Sequence, residues 1–233
     1  MLDHAIRYIR AAGQLVVLTG AGCSVDSGVP DFRSPTGWWR KLDPRKVATV
    51  EALETDYELF HAFYSARVNL LKQIFPHKGH HVLWKWEQQG RIDLIATQNV
   101  DGLHQAAGNR KIQELHGSIR RFHCYKCGKE AAEEDFLNMK ACSCGGKLRP
   151  GVVLFGESLP EQAWNRSLRA IEAADAILVV GTSLQVYPAN QLPYMTKGKL
   201  ILINAEETGQ EDRFDCFLQG RAADIMVQLD GQI

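Results

Sequence analysis

Six cysteines are spread over the chain, and four of them stand in two close pairs. Cys124 and Cys127 are separated by two residues; Cys142 and Cys144, separated by one, follow after a gap of fourteen residues. Four thiolates in two such pairs suit a closed tetrahedral zinc site, which leaves no position for a catalytic water. We therefore expect one structural zinc per chain. A redox role would fit one pair rather than two, and four unrelated buried thiols are the remaining alternative.

Histidine is the side chain best suited to move a proton near neutral pH. Among the eight histidines, His116 is the candidate general base because it follows an apolar segment and directly precedes Gly117. A histidine taken at random is more often structural. His77, His80 and His81 form a second group, but no carboxylate or cysteine pair accompanies them in the sequence. We interpret that group as the start of a helix rather than as a metal site.

A glycine-rich loop follows the apolar run 15–18. Gly20 and Gly22 let the backbone turn sharply and approach a ligand, and amides at the start of a helix suit a pyrophosphate. Val25 stands where the dinucleotide fingerprint has its third glycine, and no acidic residue ends a strand about 20 residues further on. The loop therefore has features of a nucleotide-binding loop but departs from the usual dinucleotide fingerprint at these two points. Cys23 within it is interpreted as a small apolar filler, with a nucleophile as the alternative.

Strands that alternate with helices are expected to position these residues. The predicted strands are the apolar runs 15–18, 92–97, 152–157, 176–180 and 200–203. The predicted helices are 3–12, 56–75, 79–89 and 158–173. Ser158 and Glu161 have the spacing of a capping box at the start of the last helix. The alternation predicts a parallel sheet with helices on both faces.

Small or polar residues stand at the carboxyl ends of five apolar segments. Open parallel sheets bind their ligands at that edge, so we expect these residues to lie around one crevice. They are Gly20, Gln98, His116, Gly181 and Asn204.

The composition excludes several classes of protein. The chain has 233 residues, with 27 basic and 27 acidic side chains and an isoelectric point of about 7.1, which argues against a nucleic-acid footprint or a polybasic membrane surface. No apolar run approaches the roughly 20 residues of a membrane span, and the first residues lack the apolar core of a signal peptide. We expect a cytoplasmic enzyme whose cysteines serve as metal ligands or thiols rather than in disulfides.

Several motifs stand in a characteristic order along the chain. They are Gly20-Ala21-Gly22-x-Ser24, Pro30-Asp31-Phe32-Arg33, Thr97-Gln98-Asn99-Val100-Asp101-Gly102, His116-Gly117, the two cysteine pairs, Phe155-Gly156-Glu157, Gly181-Thr182-Ser183 and Asn204. In this order the chain resembles, over nearly its whole length, the sirtuins, a family of NAD-dependent protein lysine deacylases. Three departures from the family pattern leave the reactive groups in place: Cys23 for the usual aliphatic residue, Val100 for isoleucine and His77 for asparagine.

The resemblance implies an α/β fold with a Rossmann-like parallel-sheet domain and a smaller domain, helical and zinc-binding, made from two insertions. NAD should bind in the cleft between the domains, and the acyl-lysine peptide should lie above it as an added strand between segments 153–157 and 184–187. The expected ranges are 1–33, 77–117 and 152–233 for the large domain, 34–76 for the helical insertion and 118–151 for the zinc insertion.

The resemblance also implies a role for each motif residue. After the acyl oxygen has displaced nicotinamide, His116 deprotonates a ribose hydroxyl, and Asn99 can position water. The products are nicotinamide, free lysine and O-acyl-ADP-ribose. The residues expected to bind NAD are Gly20, Ala21, Gly22, Asp31, Phe32, Arg33, Gln98, Asn99, Val100, Asp101, Gly181, Thr182, Ser183, Asn204, Glu206 and Ala222. Those expected to bind the acyl-lysine peptide are Tyr64, Arg67, Val153, Phe155 and Gly156.

Tyr64 and Arg67 are three residues apart, so on a helix they share one face. By spacing alone they are an exposed arginine beside a half-buried tyrosine, but they resemble the Tyr-x-x-Arg pair of sirtuins that remove succinyl and malonyl groups. Ala48 falls where those enzymes keep a small residue. Because a guanidinium can bind the terminal carboxylate of a succinyl group through two charge-assisted hydrogen bonds, we predict removal of succinyl and malonyl as well as acetyl groups.

Three other functions stay open at this point. They are a plain deacetylase, a protein mono-ADP-ribosyltransferase that shares the NAD pocket, and a binding module that uses its zinc knuckle on protein or nucleic acid. Because His116 and Asn99 are both present, a catalytically inactive member of the family is disfavoured. The expected partners are acylated lysine side chains of proteins, without direct nucleic-acid binding or membrane association, and the expected state is a monomer.

Overall fold

The computed structural model of the protein describes residues 1–30 and 44–233. Within them, no helix combines the length and the apolar character that crossing a membrane requires. The strands are β1 Leu15–Thr19, β2 Ile92–Thr97, β3 Ile112–Glu114, β4 Gly117–Cys124, β5 Glu130–Ala131, β6 Leu148–Val152, β7 Ala176–Val180, β8 Lys199–Asn204 and β9 Cys216–Gln219. The α-helices are α1 Leu2–Ala11, α2 Gly22–Val25, α3 Pro44–Val47, α4 Val50–Thr55, α5 Tyr57–Leu71, α6 Lys78–Gln88, α7 Leu103–Ala107, α8 Glu133–Leu137, α9 Glu161–Ala173 and α10 Ala222–Asp230. Short 3-10 helices cover Ala189–Met195 and Glu211–Arg213.

Six strands form one parallel sheet in the order β3-β2-β1-β7-β8-β9. Every residue of β1 and β7 is buried, as expected for parallel strands covered on both faces. The chain runs outward from β1 to β3 on one side and from β7 to β9 on the other. The point where the strand order reverses therefore lies between β1 and β7, and ligand crevices of open α/β sheets form at such points.

Successive residues of β1 belong to the apolar cores on opposite faces of this sheet. Val17 lies in the core that includes Ile9 of α1 and Trp86 of α6. Val16 lies in the core that includes Ile171 of α9. Helices thus cover both faces, and the predicted α/β architecture is confirmed.

A second, smaller sheet is antiparallel, in the order β5-β4-β6. Phe60 and Phe63 of α5 share an apolar core with Phe122 of β4, Phe136 of α8 and Leu148 of β6. The rings of Phe122 and Phe136 are stacked, with centroids 5.1 Å apart. The insertion boundaries stay a prediction, and residues 34–43 of the first insertion lie outside the described residues.

The predicted strand 152–157 is wrong in both extent and sheet. The strand β6 ends at Val152 and belongs to the small antiparallel sheet. Beyond it the chain turns, because the Glu157 carboxylate accepts from the Leu154 amide at 2.7 Å and Gly156 takes a φ of +98°. The Phe155 amide instead donates to Ala48 O at 2.9 Å, so this segment meets the chain before α4.

Two helix ends also differ from the sequence prediction. α9 begins at Glu161 with Pro160 at its N-cap and no side-chain cap, so Ser158 lies too far upstream to form a capping box. α5 ends at Leu71, four residues before the predicted end, because the Gln73 amide bonds to the carbonyl three residues back rather than four. The strands β4, β5 and β9 and the helix α10 were not predicted.

Candidate active site

Two glycine segments at the carboxyl ends of β1 and β7 pack backbone against backbone. The Gly20 amide donates to Val180 O at 3.0 Å, and the Gly22 amide donates to Gly181 O at 2.8 Å. A Cβ on Gly181, whose φ is +64°, would lie 2.0 Å from Cys23 N. The amides of Gly20 and Gly22, which we expected to face phosphates, are thus engaged within the protein. The glycines serve instead to bring the two loops together at the point where the strand order reverses.

A chain of buried hydrogen bonds joins the loop after β2 to α2. The Ser24 hydroxyl donates to Asp101 Oδ2 at 2.7 Å and accepts from Asn99 Nδ2 at 3.1 Å. The Leu103 amide donates to the other carboxylate oxygen of Asp101 at 2.9 Å. Burial raises the pKa of Asp101, although these hydrogen bonds act in the opposite direction. Asn99 and Asp101 are therefore held in fixed positions, as a polar binding site requires.

His116 follows β3 and is held by the backbone of the neighbouring loop. Its Nδ1 lies 3.0 Å from Gln98 O. Because a carbonyl can only accept, Nδ1 carries the proton, and Nε2 keeps a lone pair. Burial lowers the pKa of His116, with the hydrogen bond to Gln98 acting in the opposite direction, so the neutral form that accepts a proton persists at neutral pH. The Gln98 side chain in turn donates to Thr182 Oγ1 at 3.2 Å, across the crevice.

The residues predicted for the adenosine end stand at the carboxyl end of β8 and the start of α10. The Asn204 side chain donates to Glu206 O at 2.6 Å, and the Gly220 amide donates to Asn204 O at 2.9 Å. These bonds place Ala222, the first residue of α10, beside the loop that follows β8. The three predicted residues are thus neighbours in the fold.

Tyr64 and Arg67 lie on one face of α5, at the small-domain side of the cleft. Tyr64 is buried, with its ring centroid 4.7 Å from that of Phe60, and burial raises its pKa to about 12. Arg67 is half-buried, with its guanidinium carbon 5.7 Å from the ring centroid of Phe63, and burial lowers its pKa. Ala48 is buried and lines the same cleft. Arg67 is therefore not the exposed side chain that its spacing alone suggests.

Exposed apolar side chains border the outer edge of the cleft. Phe155 is 50% exposed, Val186 43% and Tyr187 79%. They come from the two segments between which a substrate peptide is expected. Large apolar side chains that border a cleft commonly mark a surface that binds another molecule.

All of these segments line one cleft of about 2030 Å³. Ordinary small-molecule pockets measure roughly 300–1,000 Å³, so this cleft has room for a dinucleotide and part of a peptide. Gly20 is not among its lining residues. Asp31, Phe32 and Arg33 lie outside the described residues. The other residues predicted to bind NAD or peptide all line the cleft: Ala21, Gly22, Tyr64, Arg67, Gln98, Asn99, Val100, Asp101, Val153, Phe155, Gly156, Gly181, Thr182, Ser183, Asn204, Glu206 and Ala222.

The arrangement of these loops is matched by known proteins along the whole chain. Residues 20–188 match the model of the Sir2 family. The chain belongs to the Sir2 family. It is 47% identical, over 97% of its length and 96% of the relative's, to NAD-dependent protein deacetylase 1 of Geobacillus kaustophilus (strain HTA426). It is also 40% identical to the NAD-dependent protein deacylase of Thermococcus sibiricus (strain DSM 12597 / MM 739), over 98% of its own length and 95% of the relative's.

The fold is likewise that of solved Sir2 structures. One is a histidine-to-alanine variant of a Sir2 protein with a deacetylated p53 peptide and 3′-O-acetyl ADP-ribose. The match covers 100% of this chain and 99% of the chain in that structure, with a TM-score of 0.93 and 32% sequence identity. The Rossmann-like sheet and the small domain with its four cysteines therefore form a Sir2 fold.

The four paired cysteines of this Sir2 chain come together where β4 ends. Cys124 Sγ lies 3.5 Å from Cys144 Sγ, and Cys127 Sγ lies 3.7 Å from Cys142 Sγ. A tetrahedral zinc ion with Zn–S bonds of about 2.3 Å holds its sulfurs about 3.8 Å apart. A Cβ on Gly146 would meet Cys124 Sγ at 2.5 Å, so a glycine is needed beside the sulfurs. The residues fit a closed zinc centre. With four sulfurs as ligands, zinc would have no open position for chemistry and would serve to stabilise the small domain.

Three residues position the site without having been predicted as site residues. Ser24 joins Asn99 to Asp101, as described above, and only its place in the glycine motif could have suggested this. Asp26 accepts from Arg221 Nε at 2.6 Å and ties the glycine loop to the start of α10. Arg120 Nε donates to Asp101 O at 2.8 Å from the small sheet. The last two contacts join distant parts of the sequence, which no local pattern reveals.

Proposed function

We propose that this protein is an NAD-dependent protein lysine deacylase, which transfers the acyl group of a modified lysine to ADP-ribose and releases nicotinamide. The observation that carries the proposal is the convergence of His116, Asn99 and Asp101 on one cleft of a Sir2 fold. Relatives named deacetylase and deacylase, which the chain matches over nearly its full length, support the same activity.

The protein's own groups have distinct tasks in this reaction. NAD supplies the ribose carbon and hydroxyls that receive the acyl group. The carboxylate and amide of Asp101 and Asn99 are held in place through Ser24 and suit the recognition of a carboxamide and its ribose. His116, with its proton fixed on Nδ1 by Gln98 O, offers Nε2 as the base that accepts the proton of a ribose hydroxyl.

A panel of acyl-lysine peptides assayed with and without NAD tests the proposal. We expect release of nicotinamide and free lysine in equal amounts, only when both NAD and peptide are present. NAD cleavage with transfer of labelled ADP-ribose to protein at a matching rate would indicate a mono-ADP-ribosyltransferase instead. Loss of the acyl group without NAD would contradict the proposal.

Within this activity, we propose that the enzyme removes succinyl and malonyl groups as well as acetyl groups. Tyr64 and Arg67 line the cleft beside Ala48, whose short side chain leaves room for a longer acyl chain. A hydrogen bond to a charged group contributes about 1.5–3 kcal/mol, or about tenfold or more in affinity. The terminal carboxylate of a succinyl group can accept two such bonds from Arg67 and one from the Tyr64 hydroxyl, whereas an acetyl group offers nothing to either.

The variant Arg67→Met separates this preference from the basic activity. Its KM for a succinyl peptide should rise about tenfold or more, whereas the KM for the matched acetyl peptide should stay nearly unchanged. Equal losses on both peptides would show that Arg67 is structural. A wild-type enzyme without detectable desuccinylation would leave a plain deacetylase.

The proposed partners are acylated lysine side chains of proteins, bound along the border of Phe155, Val186 and Tyr187. A cytoplasmic location and a monomeric state stay predictions from the sequence. Size-exclusion chromatography with light scattering checks the second: a mass near 26.1 kDa is expected.

A further inference from the structure

A second cluster of metal-ligating side chains lies behind the glycine loop, apart from the four-cysteine centre. It consists of Cys23 on α2, His77 at the N-cap of α6 and His80 in the first turn of α6. One ligand atom from each residue lies within 4.8 Å of the others. None of the three lines the cleft. The sequence places no carboxylate or cysteine pair beside these histidines, but the single Cys23 reaches them from a distant part of the chain.

His80 supplies the observation that points to a ligand. Its side chain is fully buried, and neither ring nitrogen has a hydrogen-bond partner among the residues that the structure describes. Leaving a buried polar group without a hydrogen-bond partner is energetically unfavourable. Burial lowers the pKa of His80 to about 2, and the nearby histidines act in the same direction. The imidazole is therefore neutral, which is the form that binds a metal ion.

His77 does more than its position at the helix end requires. Its Nδ1 accepts from the Gly79 amide at 2.9 Å and caps α6, a task that an asparagine side chain performs equally well. The imidazole adds a second nitrogen, Nε2, which donates to Cys23 O at 2.6 Å. Histidine at this position therefore caps α6, as asparagine could, and also brings a second nitrogen that can bind metal close to Cys23.

The charges around Cys23 favour a cation more than a free thiolate. Burial, and then the negative charges of Asp101 and Asp26, raise the pKa of the Cys23 thiol. A nucleophilic role for Cys23 is disfavoured, because the thiolate is the reactive form. The same two carboxylates would offset the single positive charge that remains when Zn²⁺ binds one thiolate and two neutral imidazoles.

We propose that Cys23, His77 and His80 form a second zinc site, with one position left open for water. One thiol and two imidazoles are a ligand set that zinc accepts in tetrahedral geometry. On binding, Cys23 Sγ bonds to zinc and its proton leaves to solvent. The proton of His77 moves from Nε2 to Nδ1, so the bonds to Cys23 O and to the Gly79 amide are both lost. Because these bonds oppose the metal, zinc at this site exchanges more readily than zinc in the four-cysteine centre.

Metal counting on the full chain with its four-cysteine centre filled tests the site. At buffered free zinc, wild-type protein should bind two zinc ions per chain. The variants Cys23→Ala and His77→Asn should bind one, with affinity for the second ion lowered at least about tenfold. The matched control is His81→Gln, which replaces an exposed histidine on the same helix and should keep both ions. Thermal unfolding without added metal shows whether each variant is folded.

Cobalt identifies the ligands. Co²⁺ is added to wild-type protein in which zinc fills only the four-cysteine centre. It should give thiolate-to-cobalt charge-transfer absorption, which Cys23→Ala should abolish and His81→Gln should retain. One zinc per wild-type chain, with no cobalt band, would overturn the proposal and leave a buried water as the partner of His80. A second zinc that survives in Cys23→Ala would also overturn it, since the ion would then be held elsewhere.

Discussion

Replacing Ser24 with alanine should lower the free energy of unfolding by about 2–4.5 kcal/mol. The hydroxyl donates to the buried Asp101 carboxylate at 2.7 Å and accepts from Asn99 Nδ2 at 3.1 Å. A hydrogen bond to a charged group is worth about 1.5–3 kcal/mol and a neutral one about 0.5–1.5 kcal/mol. Urea unfolding of wild type and Ser24→Ala at neutral pH measures the difference, and kcat/KM for NAD should fall in parallel because both partners line the cleft.

The pH dependence of this loss follows from Asp101. Burial raises the pKa of Asp101 and the Ser24 hydrogen bond opposes that effect, so Ser24→Ala should raise the pKa further. The loss is fully present where the carboxyl is charged, at a pH above its folded pKa in both proteins. It should shrink as the pH falls through those values and the carboxyl becomes neutral.

Ser27→Ala is the matched control, because Ser27 Oγ is buried and has no partner among the described residues. It should leave stability unchanged or slightly raised. The reasoning would be refuted if Ser24→Ala lost no more free energy of unfolding than Ser27→Ala does. It would also be refuted if the loss in Ser24→Ala became larger at acid pH.

Three further predictions concern the zinc centre, the base and the glycine contact. Cys124→Ala should lose the zinc of the four-cysteine centre and unfold the small sheet, since such a site can contribute on the order of 10 kcal/mol. Full activity in wild-type protein that metal analysis shows to be free of zinc would contradict this. His116→Ala should lower turnover about 10²- to 10⁴-fold with NAD binding retained in calorimetry. Because burial lowers the pKa of His116, the acid limb of wild-type turnover should lie below the usual value of about 6.5. Gly181→Ala should abolish NAD binding, as its Cβ would lie 2.0 Å from Cys23 N, whereas Gly209→Ala, with φ of +76° and open space around it, should lose only about 1 kcal/mol in denaturant unfolding.

The large sheet could be predicted from the sequence because its strands are buried on both faces. Continuous apolar runs at β1, β7 and β8 are the direct consequence of that burial, whereas Asp93 interrupts the run in β2. The polar residues that follow these runs mark the ligand edge. The same logic predicts that Gln98, Gly181 and Asn204 lie around one crevice, and all three line it. The zinc centre could also be predicted from the sequence. The two cysteines of each pair are so close along the chain that their sulfurs lie near each other whatever the rest of the fold is.

The features that the sequence did not predict depend on contacts between residues that are distant along the chain. The strand β6 contains Arg149, Pro150 and Gly151, so it lacks an apolar run and is held by its antiparallel partner. Segment 153–157 has the apolar run but not the strand, because the carboxylate of Glu157 bonds to the Leu154 amide. The approach of Cys23 to His77 likewise has no local signal, since it exists only when α2 and α6 pack together.

One strand connects the candidate base to the zinc centre. β4 begins directly after His116 and ends at Cys124, and it pairs with β6 at both ends, over 117–118 and 122–124, with an irregularity between them. His116 O accepts from the Val153 amide at 2.9 Å, just beyond β6. A Cβ on Gly117 would lie 2.1 Å from Gly151 O, so the two strands approach each other closely beside the base. We therefore expect zinc at the far end of this pair to stabilise the position of His116 without contact with substrate, so that loss of the metal should lower activity.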